Sequence, residues 1–258
     1  MKKVLIFGAV KHVIKKAKEL GYETIVIDQN PNIACIKQAD KFKNISFEAY
    51  EECLQYAREE HVDGVVTATE FAVLTASYVA NKMNLPGLDF EVAKLVKSKY
   101  EIRKKMQEKY ITNVPQFYEV SKIEELYEIK DKIKFPIILK PCSGLGSLYV
   151  YKIDDFETLM QKIQEVINGS FNGRALIETF IEGQEYGIES FVYNGKVHIL
   201  AIMKKNMTNL PYRSELGHST PSELPREIES KIEEIVSRLI RETGIKNGPV
   251  NMDMILSK

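Results

Sequence analysis

Residues 1–98 alternate strand and helix, and that alternation limits the fold more than any other feature of the chain. Residues 4–7 are a short apolar run, read as a strand, and similar runs recur at 24–27, ending at Asp28, and at 64–67. Between them, Val13, Ala17 and Leu20 form a helical stripe stopped by Gly21, and Tyr50, Cys53, Leu54 and Ala57 space a second helix. A third helical run covers 73–83 and meets the stop Leu85-Pro86-Gly87. Strands separated by helices pair in parallel, with helices packed on both faces of the sheet. Ligands of such sheets sit beyond the carboxyl ends of the strands. The 258 residues leave room for one large domain or two to three small ones.

Composition removes several classes of function. Hydrophobic residues make up 44% and charged residues 28%, as in an ordinary globular protein. Thirty-six basic residues balance 36 acidic ones, so nothing favours a nucleic acid or an anionic membrane as partner. Cys35, Cys53 and Cys142 have no C-x-x-C spacing, which argues against a zinc site or disulfide framework and suits a reducing cytoplasm. Residues 4–10 are apolar after two lysines, but Lys11 interrupts them and no small-residue cleavage site follows, so they read as a strand and not a signal peptide. No apolar run approaches the ~18 residues of a membrane span.

The rest of the chain reads as two further units. Residues 89–113 are helical and basic (Lys94, Lys97, Lys99, Arg103, Lys104, Lys105), for the most part a solvated face, and Asn113-Val114-Pro115 breaks them. Between 114 and 176 lie a strand (116–120), a helix (123–132), a strand–loop–strand (135–151) and a helix (156–167). In the strand–loop–strand, Ile137, Ile138 and Leu139 are closed by Lys140, and a small-residue loop with Gly144, Gly146 and Ser147 precedes a second strand at 148–151. Glycines let backbone N–H groups approach a polyphosphate closely, and a lysine adds a fixed charge beside them. After 175 come strands at 175–178, 185–193 and 196–203, the last two joined by Asn194-Gly195. A polar loop (204–225), a helix (226–243) and a last strand (250–256) follow. The resulting division is 1–98, 99–176 and 177–258.

Glu178-Thr179-Phe180-Ile181-Glu182-Gly183-Gln184-Glu185 makes the glycine loop more informative: a strand ends in an acid, and a second acid lies seven residues on. With the lysine–glycine loop upstream and Asn251-Met252-Asp253 downstream, the chain resembles the ATP-grasp superfamily, in particular its carbamoyl-phosphate-synthase-like enzymes and amino-acid ligases. The resemblance implies an α/β chain: a Rossmann-like pre-ATP-grasp domain, then an ATP-grasp fold made of a small α+β lid and an incomplete C-terminal grasp domain. It implies ATP and Mg2+ as cofactors. Lys99 and Lys140 match the family's two phosphate lysines, and Gly144, Gly146 and Ser147 match the loop over the β- and γ-phosphates. Glu178 and the backbone at Thr179 and Ile181, with Phe180 beside them, match the adenine hinge. Glu185 matches the ribose acid, Asp253 the first magnesium position, and Asn251 a side chain near the phosphates. Arg213 is the expected acyl-phosphate contact, because a guanidinium binds carboxylate or phosphate bidentately. His218 is a weaker candidate on the same loop.

These roles suit the chemistry, since phosphoryl transfer needs positioned cations more than covalent chemistry. The implied activity is a carboxylate–amine ligase working through an acyl phosphate in the cytoplasm. Its partners are a small-molecule carboxylate and amine, not a nucleic acid or membrane, with a homodimer or a chain that completes the site left open. The family's grasp domain continues past the first metal acid into a strand bearing a glutamate and an asparagine, whereas this sequence stops at Lys258. The expectation is a truncated chain that binds ATP better than it turns it over. The alternatives are a non-catalytic ATP-binding module or half of a split ligase. A nicotinamide-dependent oxidoreductase would rest on Asp28 alone, twenty residues after Gly8 but without the second and third glycines of that fingerprint.

Overall fold

In the first of two compact units, Met1–Lys94, β1 (Lys3–Phe7), α1 (Lys11–Glu19), β2 (Glu23–Asp28), β3 (Lys41–Asn44), α2 (Tyr50–Glu59), β4 (Gly64–Thr67) and α3 (Val73–Lys82) follow one another. The computed structural model describes residues 1–112, 114–144, 146, 148–208 and 215–257. The four strands form a parallel sheet in the order β3-β2-β1-β4. Alternation along the strands decides which helix each residue meets. Leu5, Phe7, Ile25 and Ile27 pack with Cys53, Leu54, Ala57 and Val79 of α2 and α3. Ile6 and Val26 point the other way, onto Ile14 of α1. Sequence patterning misses β3, because KFKN is an exposed edge with only Phe42 turned toward the core.

After α4 (Phe90–Lys97), the second unit runs from Leu95 to Lys258. It begins with α5 (Lys99–Glu108), whose N-cap Ser98 accepts the Glu101 N–H at 3.3 Å. Then come β5 (Phe117–Val120), α6 (Glu125–Ile129), β6 (Ile137–Pro141), β7 (Tyr151–Ile153), α7 (Phe156–Asn168) and β8 (Ala175–Thr179). These strands make an antiparallel sheet in the order β5-β8-β6-β7. Leu159, Ile163 and Val166 of α7 cover Ile137, Leu139 and Ile177 on one face. On the opposite face Tyr100 of α5 meets Phe117 edge-on, at 5.5 Å between ring centroids. The strand expected at 148–151 is instead a turn that hands over to β7 only at Tyr151. Tyr149 has φ 58, a left-handed conformation no strand contains, and Leu148 is exposed.

A second antiparallel sheet, β11-β10-β9-β12, follows from β9 (Gly183–Tyr193), β10 (Lys196–Met207), β11 (Glu215–Ser219), α8 (Arg226–Thr243) and β12 (Gly248–Ser257). Part of the expected polar loop 204–225 is therefore strand: β10 runs on to Met207 and β11 pairs back against it, Lys205 opposite His218. Polar side chains hide these residues from an apolar pattern, and the ladder holds them instead. Tyr186, Ile188 and Val192 are buried on one face of β9, and α8 packs against β10. Gly183 pairs with Ser257 so closely that a Cβ there would stand 2.2 Å from the Leu256 carbonyl oxygen. Only glycine fits that position.

Candidate nucleotide and metal site

Helical spacing places Lys99 and Arg103, four residues apart, on one side of α5. The Lys99 N–H donates to the Cys142 carbonyl at 3.1 Å, and its Nζ donates to the Gly144 carbonyl, also at 3.1 Å. One turn on, Arg103 Nε donates to Glu178 Oε2 at 3.2 Å. Lys140 Nζ donates to the other oxygen, Oε1. That pairing follows from register: Ile138 lies opposite Glu178, so Lys140 is its diagonal neighbour on the same face. Gly146 has φ +68, a conformation that suits glycine in this loop.

Glu178 is 7% exposed. Burial pushes its carboxyl up, but Lys140 and Arg103 outweigh burial and hold it below the usual range. Burial lowers Lys140, with Arg103 adding to the fall and Glu178 and Glu185 opposing it. Lys99 is lowered by burial and then by the charge of Lys140. Three cations thus converge where Glu178 supplies the bonded countercharge, which suits an incoming polyanion.

At the hinge, the Thr179 N–H donates to the Gln116 carbonyl at 2.9 Å and the Phe180 N–H to the Pro136 carbonyl at 3.0 Å. Lys152 Nζ stands 5.2 Å from the centre of the Phe180 ring. Ile181 is half-buried between β8 and β9.

The C-terminal sheet turns a polar face outward. Asp253 pairs with Gly187, Asn251 with Glu189 and Ile255 with Glu185, so one face carries Glu185, Glu189, Asn251 and Asp253. Lys205 reaches Glu215 Oε2 at 2.8 Å and Asp253 Oδ1 at 3.0 Å. Burial opposes its charge, but the hydrogen bonds it donates to Glu215 and Asp253 raise its pKa, and Lys205 lowers that of Glu215 in turn. Asn251 Nδ2 donates to Glu189 Oε1 at 2.9 Å, and His218 Nε2 lies 3.5 Å from Glu215 Oε1. Among the described residues no three His, Cys, Asp or Glu side chains gather as a ready-made metal cage. The donors nevertheless fit magnesium, which takes one or two carboxylates and fills its other positions with phosphate and water. Asp253 and Glu215, converging on one ammonium, supply such a pair.

The structure thus brings Lys99, Lys140, Gly144 and Glu178 together, and sets Glu185, Asn251 and Asp253 on one sheet face. Ser147 and Arg213 lie outside the described residues. Asp28 joins the loops after β1 and β2: its two oxygens accept the Ala9 N–H at 2.8 Å and the Asn30 N–H at 2.9 Å. Arg103, Lys205 and Glu215 belong to these clusters and had no assigned role in the sequence. The four-residue step from Lys99 was a signal for Arg103; Lys205 and Glu215 had none without the β10–β11 pairing. No helix among the described residues is long and apolar enough to cross a membrane.

Comparison with known proteins places the chain and its fold in a family. Residues 14–87 match the ATP-grasp N-terminal domain and residues 133–258 the ATP-grasp domain. The carbamoyl phosphate synthase large chain of Clostridium acetobutylicum is 23% identical over 263 residues, covering 95% of this chain and 23% of its own length. The crystal structure of an L-amino acid ligase from Bacillus licheniformis superposes with a TM-score of 0.85 at 25% identity, over all of this chain and 64% of that one. The biotin carboxylase domain of Hydrogenobacter thermophilus 2-oxoglutarate carboxylase, solved with MgADP and bicarbonate, shares the fold (TM-score 0.82, 20% identity, 100% of this chain and 61% of that one). The chain therefore spans less than two thirds of each of these relatives. With an α/β N-terminal unit followed by two antiparallel sheets, and with both ATP-grasp domain models matched, it belongs to the ATP-grasp superfamily.

Proposed function

We propose that this chain binds Mg·ATP and serves an ATP-dependent carboxylate–amine ligase. The observation that carries the reading is that Arg103 and Lys140 both bond Glu178 while Lys99, which feels the charge of Lys140, bonds the Gly144 carbonyl of the glycine loop. Lys99 and Lys140 would bind the phosphates, together with Gly144, Gly146 and Ser147. Glu178, the backbone at Thr179 and Ile181, and Phe180 would hold adenine, and Glu185 the ribose hydroxyls. Residues 99–176 would act as the lid over 177–258. Magnesium, when bound, would screen the triphosphate charge, and Asp253, with Glu215 as neighbour, would hold it.

In the reaction, a carboxylate oxygen attacks the γ-phosphorus and the bond to the β–γ bridging oxygen breaks, releasing ADP. An amine nitrogen then attacks the acyl carbon, inorganic phosphate leaves, and the amine proton passes to solvent. Here Arg213 and Asn251 would steady the transferred phosphoryl and the acyl phosphate, and exclusion of water would protect that intermediate from hydrolysis. A second reading, a nucleotide-binding module without turnover, is favoured by the engagement of Asp253 with Lys205.

The test is ADP formation from Mg·ATP with a panel of L-amino acids, followed by carboxyl-18O labelling of any active acid. Label in the released phosphate supports the ligase; ADP release with unlabelled phosphate contradicts the acyl phosphate. Nucleotide binding without ADP release supports the second reading.

A further inference from the structure

We propose that Arg103 is a positioning residue that holds the Glu178 carboxylate so that Lys140 can turn its charge to the phosphates of a nucleotide. The inference rests on the reading of this cluster as a phosphate site. Glu178 has two oxygens and two cationic partners, one on each: Lys140 on Oε1 and Arg103 on Oε2. While Lys140 is bonded to Glu178 the carboxylate offsets its charge, and drawing it fully onto a phosphate would leave a buried carboxylate without a partner, which is strongly unfavourable. Arg103 resolves that conflict. Its guanidinium does not deprotonate, and it arrives from a different element, α5, so it can stay on Glu178 while Lys140 moves.

The arrangement also explains why the carboxylate is tolerated beside a polyanion site. Glu178 unpaired would repel phosphate; with Arg103 it forms a neutral pair, and the charge of Lys140 remains for the ligand. The Sδ of Met106 lies 4.0 Å from Arg103 Nη1, and the Arg103 side chain is only 28% exposed. Such surroundings restrict the guanidinium more than open solvent would. Arg103 itself is not assigned a phosphate contact.

A double-mutant cycle separates positioning from direct binding. Affinity for a non-hydrolysable ATP analogue and for adenosine is measured by titration calorimetry for the wild type, Arg103→Met, Glu178→Gln and the double variant. In the wild-type background Arg103→Met should weaken the ATP analogue about tenfold, the size expected for losing one charge-assisted hydrogen bond. Adenosine binding should stay within about twofold. In the Glu178→Gln background the same replacement should cost the analogue almost nothing, because no carboxylate remains to be held. Neither Glu178→Gln protein contains the buried carboxylate that Arg103→Met alone would leave with one partner fewer, so this arm can be read even if Arg103→Met alone does not fold. Its result then decides: a tenfold loss there means that Arg103 binds phosphate itself and overturns positioning. Equal affinity in all four proteins also overturns it. A wild type that binds adenosine but not the ATP analogue overturns the phosphate-site reading instead, and the role of Arg103 with it.

Discussion

The Lys99 ammonium donates to the Gly144 carbonyl at 3.1 Å, tying the first turn of α5 to the glycine loop that follows β6. The same ammonium is partly stripped of water and crowded by Lys140, so both lysines lose their protons at lower pH than a free lysine. A bound polyphosphate favours their charged forms and raises both pKa values. ATP affinity should therefore be full below the free-state lysine pKa values and fall as pH rises through them, starting below the 10.5 of an ordinary lysine. Calorimetric titrations across that range check this, with adenosine as a control that shows no such fall.

Glu178 links the same cluster to acid stability. Its folded pKa lies below its ordinary value, so its contribution is present above the unfolded pKa and is lost as pH falls through the folded one. Glu178→Gln should therefore flatten the acid limb of the curve of unfolding midpoint against pH. An unchanged limb would show that the pair contributes nothing to acid stability.

Gly183 should be intolerant of even one methyl group. Its Cβ would lie 2.2 Å from backbone, which cannot swing aside as a side-chain tip can. Gly183→Ala is expected to destabilise the protein by about 1–3 kcal/mol, read as a lower urea midpoint. A midpoint equal to the wild type would contradict the Gly183–Ser257 register.

The three cysteines should separate by burial. Cys53 and Cys142 are fully buried, and burial pushes both thiols up, that of Cys53 to about 12. Cys35 is partly exposed, with its thiol donating to the Ala9 carbonyl at 3.1 Å. A thiol reagent at neutral pH should label Cys35 alone in native protein and all three cysteines after denaturation. Native labelling of Cys142 would contradict its burial beneath Ser98 and Glu119.

Much of the fold was legible because period and punctuation agreed. Leu5, Ile25 and Val65 sit in strands that the apolar runs mark, and Asn194-Gly195 marks the β9–β10 hairpin. What escaped was held by pairing instead of pattern: β3 at a polar edge, and the β10–β11 ladder around Lys205. Leu148 and Tyr149 show the opposite error, a β-forming composition overridden by a left-handed turn. At the candidate site, Lys99, Lys140, Glu178 and Asp253 could be singled out by motif. Lys205 and Glu215 could not, and Arg103 only by its four-residue step from Lys99, since each takes its meaning from a partner on another element.

Magnesium dependence should isolate Asp253. Lys205 holds Asp253 and Glu215 together, and a metal would compete for both carboxylates. Asp253→Asn should abolish most of the gain in ATP affinity on adding magnesium while leaving metal-free affinity within about twofold. An undiminished magnesium effect would remove Asp253 from the metal site.

The most direct measurement compares ATP and adenosine on wild type and Lys140→Ala by titration calorimetry in magnesium. If the cluster around Glu178 is a phosphate site, the wild type binds ATP, and Lys140→Ala loses about tenfold or more for ATP while adenosine is little changed. No binding of either ligand to folded wild type, or equal losses for both in the variant, would contradict a nucleotide site built on Lys140.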